Sequence, residues 1–125
     1  MSNLAPISLT VAAAPELARL VRMTARNAGL LASMTLDRVE DVRMAAEEAF
    51  VFACSAAHGA PVTIDFSVDD THVGMTFDCG DAVFPEPSEE DPSAAYIDLI
   101  LASVCDSYEK EESPARLILD LKADA

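Results

Sequence analysis

Positive charge is what this chain has least of. Eight Lys and Arg stand against 22 Asp and Glu, for a formal net charge of −14 over 125 residues. Such a surface repels phosphate backbones and anionic bilayers, so neither nucleic acid nor membrane is an expected partner, and a basic protein is the partner it would attract. Glycine is scarce as well: Gly29, Gly59, Gly74 and Gly80 are all there are, and none follows position 80. A loop whose glycines let backbone N–H groups close on a phosphate therefore has no residues to build it beyond that point. Cys54, Cys79 and Cys105 are odd in number and far apart, which fits neither a disulfide framework nor a zinc pattern. They read as free, buried, inert thiols of a reducing cytoplasm. His58 and His72 lack a companion at metal-ligand spacing and read as structural, so no metal is expected. The longest apolar run, "AAYIDLILASVC", is short and carries Asp98, so it is not expected to span a bilayer. "MSNLAPISLT" has neither a basic n-region nor a long apolar h-region, and no signal peptide is expected from it.

What is present is apolar mass. Hydrophobic residues make up 51% of the chain, enough for one core in one domain, residues 1–125. "PISLTVAA" alternates Ile7, Leu9 and Val11 against polar or small neighbours and predicts a half-buried strand. "PELARLVRMTARNAGL" predicts a helix, with Pro15 in its first turn and Gly29 as its C-terminal cap. A second helix is expected from an N-cap at Thr35 to about Ala57, with Leu36, Val39, Val42, Ala46, Ala49, Phe50 and Ala53 as its apolar stripe. Gly59 and Pro61 end it. "PVTIDFSV" and "HVGMTFDC", joined by "DDT", predict a hairpin. An acidic, proline-rich loop, "GDAVFPEPSEEDPS", leads to a third helix, "SAAYIDLILASVCDSYE", with Ala95, Leu99, Ala102 and Cys105 near one face. In the loop Asp91, followed by Pro92, reads as a cap that fills the anion position of that helix with its own carboxylate. "ARLILDLKA" closes the chain as a strand. The order predicts an α+β two-layer sandwich, a mixed and mostly antiparallel sheet covered on one face by helices.

Three words stand at particular places in that order. The first helix is "VAAAPELARLVRMTARNAG", the second carries "DRVEDVRMAAEEAFVFACSAAH", and the strand pair ends in "FDCGD". Together, over nearly the whole chain, they resemble the anti-sigma regulatory factor and serine-kinase family, small members of the superfamily that includes histidine kinases, Hsp90, gyrase and MutL. The resemblance implies a histidine kinase-like (Bergerat) ATPase fold, ATP and Mg²⁺ as cofactors, a sigma factor or an antagonist protein as partner, and a homodimer. It also assigns roles. Glu48 matches the general base of the family's Glu-Ala-x-x-Asn motif, Asp78 the acid that reads the adenine amino group, and Gly80 the glycine beside it. Arg22 sits where the family has an arginine that meets the partner, and Arg26 shares its helix face.

Two departures cut against catalysis. Phe52 occupies the position of the asparagine that supplies an oxygen to Mg²⁺, a hard cation that a benzyl group cannot serve. The glycine-rich phosphate loop is replaced by "EPSEEDPSAAYIDLIL", whose Glu86, Glu89, Glu90 and Asp91 would oppose a triphosphate. The reading is a regulator that binds by shape, with its kinase site largely lost. A working serine kinase that phosphorylates an antagonist and a purine sensor that keeps the Asp78 end of the pocket are the alternatives. Without the resemblance, Glu48 is a solvated helix acid, Phe52 is core, Asp78-Cys79-Gly80 is a strand-ending turn, residues 86–91 are a solvated loop, and Arg22 and Arg26 are surface charges.

Overall fold

A computed structural model describes residues 4–86, 88–90 and 92–124. Five strands, β1 (Leu4–Ala12), β2 (Pro61–Val68), β3 (His72–Asp78), β4 (Ser107–Glu111) and β5 (Arg116–Lys122), form one sheet in the order β1-β2-β3-β5-β4. Every pairing is antiparallel. Three helices, α1 (Ala18–Leu31), α2 (Leu36–Ala57) and α3 (Ser93–Val104), lie on one face. A 3₁₀ turn at Pro15–Leu17 leads into α1. The α+β sandwich expected from the sequence is thus observed, with a wholly antiparallel sheet.

Period-two alternation sets the inner face. Val62, Ile64, Phe66 and Val68 of β2 are buried, as are Val73, Met75 and Phe77 of β3 and Leu117, Leu119 and Leu121 of β5. The register brings Ile64 opposite Phe77 and Met75 opposite Leu119, so the apolar side chains form rows beneath the helices. Thr63, Asp65, Thr76, Asp78 and Asp120 fall in the other phase, on the open face.

The helix α2 is the axis of the helical layer, with half of its 22 residues buried. It starts where the sequence predicts: the Thr35 hydroxyl accepts from the Arg38 N–H at 3.3 Å. It ends at His58, in the left-handed conformation at φ 51°. The asparagine-free, alanine-rich inner side lets α1 come close. Gly29 lies at that approach, where an added Cβ would stand 3.2 Å from Val39 Cγ2 and 3.4 Å from its Cα. Gly29 is therefore a packing glycine inside α1 and not its C-terminal cap, because the helix continues to Leu31.

Two further expectations change. The third helix stops at Val104, and Ser107–Glu111 forms edge strand β4, which is missing from the sequence reading. The reason is long-range pairing: the Asp106 N–H donates to the Asp120 carbonyl at 2.9 Å, and β4 then pairs with β5 residue by residue. The face of α3 is also different. Ala94, Ile97 and Leu101 are buried, with Cys105 just beyond, whereas Ala95, Leu99 and Ala102 are exposed. Asp91, read as the cap of this helix, lies outside the described residues.

The far end of α2 is locked by Arg38, whose side chain is only 15% exposed. Its guanidinium donates to the carbonyls of Lys122 at 2.8 Å and Val104 at 3.1 Å, to Asp41 at 3.1 Å and to Asp106 at 2.6 Å. One residue thereby joins the starts of α2 and β4 to the ends of α3 and β5. Beside it Asp124 accepts from the Thr35 N–H at 3.1 Å and from the Thr35 hydroxyl. These bonds hold the Asp124 carboxyl below the usual carboxylate range, the hydroxyl bond first among them. The three cysteines are free and buried; burial pushes Cys79 up to about 11 and Cys105 up to about 12, so both are thiols at neutral pH.

Arg38→Ala takes a donor from two carbonyls and two carboxylates, of which Asp106 keeps the Lys122 N–H at 2.7 Å, and should lower the urea-unfolding free energy by about 2–4 kcal/mol, with Arg38→Lys recovering only part of it. Because the folded carboxyl of Asp124 is more acidic than the unfolded one, its contribution is present at neutral pH and is lost as pH falls below about 4. Thermal melts of Asp124→Asn and Thr35→Ala should therefore show a shallower fall in Tm below that pH than the native chain.

Candidate functional site

Helical spacing places Glu48 and Phe52 on one face of α2, the side that carries Arg38 and Asp41 toward the end of α3. Glu48 is half-buried, and its carboxylate makes no hydrogen bond or ion pair among the described residues. Phe52 is 3% exposed. Its ring stacks on Phe84, also 3% exposed, with centroids 5.5 Å apart and planes 25° from parallel.

Above that ring stands a cation from the strand absent from the sequence reading. Lys110 Nζ on β4 lies 5.3 Å from the Phe52 centroid. It is held there by Asp98 of α3, with Nζ 3.1 Å from Oδ1 and 3.0 Å from Oδ2. Tyr108, also on β4, donates its hydroxyl to Asp98 Oδ1 at 2.7 Å. Burial, then the bond to Asp98, pushes the Tyr108 phenol well above its ordinary value, so it stays protonated and donating. Phe52, Phe84, Lys110, Asp98 and Tyr108 thus join α2, the β3–α3 connection, α3 and β4. Of these five only Phe52 is a site residue of the sequence reading. The alternation of Tyr108 and Lys110 within "SYEKE" is the signal that could have shown two more of them facing inward.

The residues Asp78 and Gly80 are placed elsewhere. Asp78 pairs with Thr63 and Arg116 and lies in the outward phase of β3; Cys79 is the buried residue that follows Phe77 inward. The Asp78 carboxylate accepts the Gly80 N–H at 2.9 Å, and Gly80 takes φ +61°, a backbone that a side chain would strain. The Cys79 N–H donates to the Ala115 carbonyl at 2.8 Å, and Ala115 donates back to Gly80 at 3.0 Å, which ties this turn to the β4–β5 hairpin. A groove of about 420 Å³ opens there, lined by Gly80 to Val83, Ser113 and Pro114. Of the expected site residues only Gly80 lines it; Asp78, Glu48 and Phe52 do not.

A different cluster forms on α1. Arg19, Arg22, Arg26 and Arg43 surround Met23 at a groove of about 250 Å³. These are four of the eight basic residues in the chain. Arg22 meets both carboxylate oxygens of Glu47 at 3.2 Å. Arg26 and Arg43 share Glu40, at 3.7 and 2.7 Å, and Arg19 has no ion pair among the described residues. Met23 and Leu20 beside them are 57% and 48% exposed.

An antiparallel sheet with three helices on one face, a long helix carrying an acid, and a glycine turn at the end of β3 define a class of domain. The family model of the histidine kinase-like ATPase domain matches residues 11–114, and the chain belongs to that family. A comparison with curated proteins finds no match. The family implies ATP and Mg²⁺, and the residues here do not suit them. A buried aromatic stack and an ammonium already paired with a carboxylate fill the side of α2 that faces α3. Phe52 offers Mg²⁺ no lone pair. No cluster of three or more His, Cys, Asp or Glu able to hold a metal occurs among the described residues.

Phe52→Ala should cost about 3–5 kcal/mol in a denaturant titration, the range for removing a buried aromatic ring, and Phe52→Leu less than about 1.5 kcal/mol. A loss below about 1 kcal/mol for the alanine variant would show that the ring is not core packing.

Proposed function

We propose that this chain is a regulator of the anti-sigma type that acts by binding protein and has filled its own nucleotide site. The observation that carries the reading is Phe52, buried against Phe84 beneath Lys110 on the helix where the resemblance calls for a magnesium ligand. A phenyl ring where the resemblance calls for the magnesium ligand, and an Asp78 in the outward phase of β3, away from the helical layer, argue against a kinase reaction at this site. The α1 arginine face supplies the contact surface: four guanidiniums against two glutamates give a local positive excess on a chain of net charge −14. Planar guanidinium forks beside exposed Met23 suit an acidic segment of a sigma factor or of an antagonist protein.

Calorimetric titration with ATP·Mg²⁺, ADP and adenosine tests the nucleotide half. No heat up to about 1 mM ligand, affinity weaker than about −4 kcal/mol, is expected; micromolar binding that needs Mg²⁺ would move the serine-kinase reading to first place. Affinity capture from the host tests the other half. The native chain should recover a sigma factor or an antagonist, and Arg22→Glu with Arg26→Glu should lose it; recovery of neither class by the native chain contradicts the reading.

A further inference from the structure

The helix α3 has only one charged residue, Asp98, and that residue is turned inward to Lys110 and Tyr108. Its outer side is left with Ala95, Tyr96, Leu99, Ala102 and Ser103, all exposed, Tyr96 by 62% and Leu99 by 70%, with the Ser103 hydroxyl turned back to the Ile100 carbonyl at 2.8 Å. An uncharged helix face three turns long is unusual on a chain in which 24% of residues are charged. Small residues at 95 and 102 flank Leu99 one turn away on either side, which lets another backbone approach closely while the two large side chains interdigitate. Just before the helix in the sequence, Glu86, Glu89 and Glu90 are exposed, so the strip is uncharged along its length and acidic at its N-terminal end.

We infer that this face docks an amphipathic helix of another protein, with an aliphatic stripe and basic residues at the end that lies over 86–90. Charge decides the occupant. A second copy would bring another net charge of −14 and a second set of these acids to the same contact. The chain's own arginine cluster is on α1 and α2, away from α3, and does not neutralise this rim. A helix of three to four turns matches the length of α3 and presents anchors at i, i+3 or i+4, and i+7 to Tyr96 and Leu99. The inference goes beyond the arginine face proposed above but rests on the same reading, that the chain works by binding protein.

The probe is a labelled synthetic amphipathic helix of about 16 residues with a leucine stripe and arginines at one end, beside a twin with glutamates in their place. Fluorescence anisotropy should show the basic peptide binding and the acidic twin not. Amide NMR shifts should centre on residues 93–104. Leu99→Asp, an exposed position whose fold is checked by circular dichroism, should weaken binding about tenfold or more. Glu89→Lys with Glu90→Lys, which disturbs no packed side chain, should weaken it several-fold and reduce its salt dependence. Equal binding of both peptides, no binding of either, shifts centred elsewhere, or a homodimer that Leu99→Asp dissolves would each overturn the inference. None of these results touches Phe52 or the arginine face, which are read by calorimetry and by the Arg22 variant.

Discussion

A benzyl ring with 3% of its surface left to water sits where four elements meet, and what those elements can do follows from how it is packed. Phe52 gains the burial of an aromatic side chain, about 1.5–3 kcal/mol, and its π-face gives Lys110 an attractive seat. Lys110 in turn is neutralised by Asp98, and the Tyr108 hydroxyl takes up one of the remaining lone pairs of that carboxylate. A half-buried ion pair contributes more when further hydrogen bonds satisfy its carboxylate, as the Tyr108 hydroxyl does here. The aromatic stack and the ion pair therefore support one another, and α3 and β4 are held to α2 by side chains of the chain itself.

That arrangement commits both flanks of α2. On one flank Arg38 binds the ends of α3 and β5 and the start of β4, and Phe52 closes against Phe84. On the other, Gly29 lets α1 settle onto Val39 while Arg22 and Arg43 share Glu47. No polar or charged residue is fully buried among the described residues, and the Cys79 and Cys105 thiols and the Tyr108 phenol, which burial shifts, all stay protonated at neutral pH. The guanidiniums around Met23 and the uncharged strip of α3 lie on the surface, outside this packing.

Much of this was legible in the sequence. Strict alternation in "PVTIDFSV", "HVGMTFDC" and "ARLILDLKA" located three strands, and Thr35 located the start of α2, because each depends on local chemistry. The elements that were misread depend on distant partners. "CDSYE" carries on the apolar pattern of α3, and only pairing with β5 turns it into strand; with β4 hidden, Lys110 and Tyr108 had no visible place in the site. The faces of α3 were interchanged because a helix that is apolar nearly all round does not encode which side is covered. The Asp78-Cys79-Gly80 turn was recognised as a word, but the phase of β3 decides which way its acid points, and that phase is set by Val73, Met75 and Phe77 facing the helices. The burial of Phe52 was legible, because its residue type and place on α2 read as core without the family; its partner Phe84 was not, because the connection that carries it has no period to read.

Side chains of the chain itself, Phe52, Asp98 and Lys110 among them, occupy the space between α2, α3 and β4. Side-chain NMR tests it most directly. The packing predicts nuclear Overhauser contacts between the Phe52 and Phe84 rings and Lys110 Hε resonances moved upfield by the Phe52 ring, both unchanged when ATP and Mg²⁺ are added. Loss of the ring contacts and return of Lys110 to an ordinary shift on nucleotide addition would contradict it, because the stack would then be a gate that a ligand opens.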